Sequence, residues 1–227
     1  MGLPLRLSNG PAGATATMKV LFFTPTTERR QDDAWLQPVR DAHSMVKGVD
    51  HRIVDTLTPL SASYRYSMEW ALRNQYGWVL CIEDDEEPDA EILIRFVEIA
   101  RDFPNDGLFI GCKRLREVNI RSPSKWIYKH DPPAINEKPV RVEGIFPGQS
   151  PPFRLFGGTL CTPMMYSPAW MERSGLRFHG HRLEGTKDTL NWDSALGADV
   201  SEKFIGFVAC PSISVRHWDT KTRQVWD

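Results

Sequence analysis

Six carboxylates occupy the seven positions 83–89, in the run Glu83-Asp84-Asp85-Glu86-Glu87-Pro88-Asp89. They follow directly on Trp78-Val79-Leu80-Cys81-Ile82, a continuous apolar run of the kind that forms a strand buried on both faces. Carboxylates crowded at the end of a buried strand repel one another unless a cation or solvent separates them, and a divalent metal is the economical separator. Hard oxygen donors suit Mg2+ or Mn2+, ions that take one or two carboxylates and the phosphates of a substrate. Asp85 is the first candidate ligand, with Glu83 and Asp84 beside it. Glu86, Glu87 and Asp89 read instead as the solvated start of a helix, where the macrodipole favours negative charge.

The elements that must position this cluster follow from periodicity. Lys19–Thr24 is a short apolar run closed by Thr-Pro-Thr, and His51–Val54 is a second one ending at Asp55. Between them, residues 32–47 carry apolar positions at helical spacing, which completes a βαβ unit. Residues 61–76 put Tyr64, Met68, Ala71 and Leu72 on one helical face, and Gly77 stops that helix ahead of the acidic strand. Ala90–Phe103 repeats the helical pattern, and Leu108–Cys112 is a fourth strand. Residues 113–153 read as a long loop region with room for a hairpin. The C-terminal third offers helix-like stretches over Pro168–Ser174 and Asp188–Asp199, then two strands, Phe204–Ala209 and Ser212–His217. The alternation predicts an α/β sheet sandwiched by helices, whose ligands lie outside the carboxyl ends of the strands.

Composition narrows the class. The chain has 227 residues, 41% hydrophobic and 25% charged, as in ordinary globular domains. Its formal net charge of −1 gives no global field toward nucleic acid or an anionic membrane. No apolar stretch approaches a membrane span and no basic, then apolar, leader opens the chain, so a cytoplasmic protein is expected. Residues 1–17 read as a flexible leader or expression remnant, and 18–227 as one domain. Cys81, Cys112, Cys161 and Cys210 are widely spaced in or beside apolar runs and read as reduced core thiols.

Trp78–Phe96 resembles the strand, acidic motif and Pro-initiated helix of the GT-A fold glycosyltransferases of the inverting, family-2-like group. The resemblance implies a Rossmann-like mixed sheet sandwiched by helices, and a D-x-D motif whose last Asp binds the metal that holds the donor's diphosphate. Pro88 aligns Glu83-Asp84-Asp85 with that motif, so Glu stands for its first Asp. A second match begins at Trp192-Asp193, continues through Pro211 and ends at His217, twenty-four residues beyond Asp193. It implies Asp193 as the catalytic base, with Asp188 as the competing candidate, and His217 as a further metal ligand. By the same resemblance, Thr24, Pro25, Thr26 and Asp55 line the donor's base and ribose, and Arg65 faces its diphosphate. The acceptor falls to Arg154, Gly157 and Gly158, with Trp192, His179 and His181 as a wall.

The resemblance thus implies a metal-dependent transferase using a nucleotide-sugar donor, UDP-sugar by default, and Mn2+ or Mg2+. The acceptor class stays open among glycan, small molecule, protein and modified DNA. Two other readings fit the same residues. One is a metal-dependent nucleotidyltransferase or nuclease, in which the basic and aromatic run of residues 113–130 grips nucleic acid. The other is a sugar- or nucleotide-binding module without catalysis, kept open by the altered E-D-D and by the missing Glu ahead of Asp193.

Overall fold

The strand β1 (Val20–Pro25) is buried at every position because alternate residues feed two different cores. Leu21 and Phe23 join one cluster, and Val20 and Phe22 join the other. That is how a strand covered on both faces must behave. The computed structural model describes residues 19–26, 50–54, 60–84, 86–114, 127–128, 140–141, 151–156, 160, 162–179, 181–182, 189–190, 192–218 and 225–226. Predicted features at 1–17, 32–47 and Asp55, and the side chains of Cys112 and Cys161, lie outside the described residues.

β1 pairs in parallel with β2 (Asp50–Val54) and with β3 (Trp78–Cys81). The next strand in space is β9 (Met164–Tyr166), antiparallel to β3 and to β5 (Leu108–Arg114). β5 in turn pairs in parallel with β12 (Phe207–Trp218). The order is β13-β12-β5-β9-β3-β1-β2, with the short strands β4 (Glu86–Glu87) and β8 (Phe153–Leu155) added antiparallel to β12, and β13 (Val225–Trp226) at its end. β6 (Ile127–Tyr128) and β7 (Val140–Arg141) pair antiparallel in the segment expected to hold a hairpin, and β10 (His181–Arg182) pairs with β11 (Thr189–Leu190).

Helices cover both faces. α1 (Leu60–Arg73), α3 (Pro168–Arg173) and α4 (Trp192–Glu202) supply Tyr64, Met68, Met171, Leu196 and Val200 to one core. α2 (Ile92–Asp102) supplies Ile92, Leu93, Phe96, Val97 and Ala100 to the other. The predicted mixed sheet sandwiched by helices is therefore present.

Two departures from the sequence reading have a local physical cause. Phe204–Ala209 and Ser212–His217 form one strand, because Pro211 sits where the register with β5 shifts between Ala209 and Ser214, and a bulge needs no ladder donor there. α4 starts at Trp192, since Thr189 and Leu190 are spent on pairing with β10. Among the described thiols, Cys81 and Cys210 are buried and form no disulfide.

Candidate active site

The carboxyl ends of β1 and β3 lie side by side, Phe23 opposite Cys81, and the Ile82 N–H donates to the Phe23 carbonyl at 3.1 Å. Thr24 and Thr26 are buried at this end, and the Thr26 N–H donates to Val54 at 3.2 Å. The Thr26 hydroxyl oxygen is buried with no hydrogen-bond partner among the described residues.

From Ile82 the chain makes a tight acidic turn. The Glu86 N–H donates to the Glu83 carbonyl at 3.1 Å, and the Glu83 N–H donates to Glu86 Oε2 at 2.9 Å, so the two residues close the turn reciprocally. Glu86 Oε1 accepts from the Thr162 hydroxyl at 2.6 Å. Glu86 is only 1% exposed and Asp84 5%. The solvated helix start expected for Glu86 is thus overturned: it is interior and belongs to β4. Asp89 keeps the expected role, since its Oδ1 accepts from the Glu91 N–H at 3.0 Å and its Oδ2 lies 3.1 Å from Arg95.

β4 delivers this turn to the end of β12. In their antiparallel register Glu86 faces His217 and Glu87 faces Arg216. Glu86, the residue that follows the motif expected to bind metal, is therefore the sheet neighbour of the histidine expected to share that metal, although Glu83 and His217 are 134 positions apart in sequence. Asp85 and the His217 side chain lie outside the described residues. Among the described residues no group of three or more His, Cys, Asp or Glu side chains forms a ready metal cluster.

Tyr64 joins the turn to α4. Its hydroxyl donates to Glu83 Oε1 at 2.9 Å, while its ring stacks on Trp192 with centroids 4.1 Å apart and planes 26° apart. Burial first, then Cys81, Glu83 and Glu86, hold the phenol well above its ordinary value of 10.0, so it remains a donor. Asp193 follows Trp192 in the first turn of α4 and is half-buried. Its carbonyl accepts from the Leu160 N–H at 3.3 Å, which ties the base candidate to the chain just after Gly157 and Gly158.

Other expected residues fall elsewhere. Trp192 is 4% exposed and packs between Tyr64 and Phe178, so it is core beneath the site rather than an acceptor wall. Arg154 lies on β8, opposite Val208 near the amino end of β12, and its guanidinium forks onto Asp106, with Nε 3.1 Å from Oδ1. That is the far end of the strand from His217. His179 bonds Asp199 at 2.9 Å, in the second half of α4. Arg65 is exposed on α1 beside Tyr64. Gly157, Gly158 and Asp188, and the side chain of His181, lie outside the described residues. Sequence reasoning passed over Tyr64, Glu86 and Thr162. Only the hydroxyl of Tyr64, on the core face of the helix leading into the acidic strand, offered a signal.

No protein-family model matches the chain, and no curated protein matches it in sequence. Among solved structures, S. aureus TarS 1-349 superposes with a TM-score of 0.53 at 12% identity, over 87% of this chain and 59% of its own. A longer S. aureus TarS structure gives 0.54 at 12% identity, over 87% of this chain and 36% of its own. TarS is a GT-A glycosyltransferase. The fold is GT-A-like. The chain spans about three-fifths or less of the TarS chains it matches, 59% and 36%. A CMP:2-keto-3-deoxy-manno-octonic acid synthetase complexed with CTP aligns at a TM-score of 0.48 and 10% identity, too loosely to bear on function. In this fold the acidic turn, Thr24 to Thr26 and the end of β12 all lie at the carboxyl-terminal end of the parallel strands β1, β3, β5 and β12. Among the described residues no helix is long and apolar enough to cross a membrane.

Proposed function

We propose that the chain is a metal-dependent glycosyltransferase that moves a sugar from a nucleotide-sugar donor, by default a UDP-sugar, to an acceptor hydroxyl. The observation that carries this reading is the register of Glu86 with His217, which closes the acidic turn against the end of β12. The donor set fits a hard divalent cation: carboxylates of the Glu83-Asp84-Asp85 motif and an imidazole whose backbone lies one strand away. Asp85, His217 and Glu83 would hold Mn2+ or Mg2+. When bound, the ion offsets the charge of the departing nucleoside diphosphate.

The protein's own residues do the rest. Asp193 accepts the proton of the acceptor hydroxyl, whose oxygen attacks the anomeric carbon as the carbon–oxygen bond to the diphosphate breaks. Inversion follows from a single displacement. Asp188 is the alternative base. Thr24, Pro25, Thr26 and Asp55 receive the nucleoside, the buried Thr26 hydroxyl supplying a polar contact, and Arg65 meets the diphosphate. Gly157 and Gly158 let the acceptor approach the backbone closely.

Thermal-shift measurements with UDP, GDP, CMP and their sugars, each with and without Mn2+, test this reading. One nucleoside diphosphate should stabilise the wild type only with the ion, and Asp85→Asn should lose the effect. Asp193→Asn should keep that binding while transfer falls by about 10²–10⁴-fold. Stabilisation by none of them contradicts the reading. Release of pyrophosphate instead of nucleoside diphosphate would make the chain a nucleotidyltransferase.

A further inference from the structure

We propose that Glu86 is a positioning residue, not a metal ligand: its buried carboxylate couples Thr162 to the backbone of Glu83 and so sets the shape of the acidic turn. The inference rests on the transferase reading and names what holds that site in register. Each Glu86 oxygen already accepts from the protein, Oε1 from the Thr162 hydroxyl at 2.6 Å and Oε2 from the Glu83 N–H at 2.9 Å. Both Glu86, at 1% exposure, and Thr162, at 0%, are interior, so the carboxylate is turned away from solvent. A buried carboxylate of this kind is kept by its donors. Its backbone meanwhile faces His217 across the β4–β12 pair. One residue thus touches the motif, the end of β12 and the chain entering β9.

This arrangement needs acceptors and shape more than charge. A glutamine can accept the Glu83 N–H with its carbonyl and donate its amide to Thr162, whose hydroxyl can turn to receive it. A leucine fills the volume but leaves both donors unpaired. A ligand role demands the opposite, because a neutral amide is a poor ligand for a hard divalent ion.

The test compares Glu86→Gln, Glu86→Leu and Thr162→Val with the wild type. The Mn2+ concentration that half-saturates stabilisation by UDP is measured for each, together with hydrogen exchange at the Glu83 amide. E86Q should stay within about threefold of the wild type in both readouts, whereas E86L should need about tenfold more Mn2+ and exchange the Glu83 amide about tenfold faster. T162V, which leaves the Glu83 contact in place, should fall between them in Mn2+ requirement and exchange normally. If E86Q loses Mn2+ response as fully as E86L, Glu86 is a ligand and the proposal fails. If E86L matches the wild type in both readouts, it also fails. A wild type that none of UDP, GDP, CMP and their sugars stabilises with Mn2+ overturns the transferase reading. The exchange rates of E86Q and E86L then still decide whether Glu86 holds the turn.

Discussion

Tyr64 lies flat on Trp192, ring centroids 4.1 Å apart, and from that position its hydroxyl reaches Glu83 at 2.9 Å. A single side chain of α1 therefore fixes both the acidic turn and the start of the helix that carries Asp193. Phe23 and Phe178 hold its ring from other sides, at centroid distances of 5.6 and 5.3 Å.

Removing only the hydroxyl separates the two roles. Tyr64→Phe keeps the stack but leaves Glu83 without this donor, which should cost about 1–3 kcal/mol. Tyr64→Ala removes the ring as well and should cost about 3–5 kcal/mol. Urea denaturation measures both; midpoints should fall in that order with the slope unchanged. A Tyr64→Phe midpoint equal to the wild type would mean the Glu83 contact contributes nothing, and equal losses in the two variants would mean the stack on Trp192 adds nothing.

The parts of this arrangement that were readable from sequence are those with a strong local pattern. The acidic cluster could be placed at the end of β3 because WVLCI is unbroken, and α2 because Ile92, Phe96 and Ala100 recur at helical spacing. β9 was not readable: three residues, Met164 to Tyr166, carry no period, yet they occupy the middle of the sheet. Glu86 was misread because sequence shows its acidic neighbours and Pro88, which mark an exposed helix start, and not the distant Thr162 that buries it. Pro211 hid the continuity of β12 in the same way, by a local signal that a bulge absorbs.

Alkaline stability should report three tyrosines. The Tyr76 hydroxyl donates to Asp50 at 2.6 Å, and burial together with Asp50 raises its pKa from 10.0 to about 12. Burial also raises Tyr64 and Tyr166, the latter bonded to Ser67 at 2.9 Å. A pKa raised in the folded state contributes stability in full below the unfolded value, near 10, and loses it as pH climbs through the folded value. Stability should therefore be level across neutral pH and fall above about pH 10. Tyr76→Phe should be less stable than the wild type at pH 8 and lose less between pH 10 and 12. An equally steep fall in Tyr76→Phe would exclude Tyr76 from the effect.

Gly107, just ahead of β5, permits a close approach to α3. A Cβ built there would lie 2.3 Å from Trp170 Cγ, and the indole is held in place by donating from Nε1 to Asn105 at 3.0 Å. Gly107→Ala should destabilise by about 1–3 kcal/mol, lowering Tm by roughly 2–4 °C for each kcal/mol. A melting temperature equal to the wild type would show that α3 yields freely. Because the contact lies at the opposite end of β5 from the acidic turn, nucleotide binding should survive in the folded variant.

The pairing of Glu86 with His217 carries the functional account, and His217 is where it can be struck most directly. Calorimetric titration of UDP into the wild type and His217→Ala, each with Mn2+ and with chelator, isolates the contribution of the end of β12. The account predicts that Mn2+ tightens UDP binding in the wild type and that His217→Ala loses at least about tenfold of that gain, with binding in chelator unchanged. A His217→Ala variant with the full Mn2+-dependent affinity of the wild type would contradict the assignment of the metal to this end of the sheet.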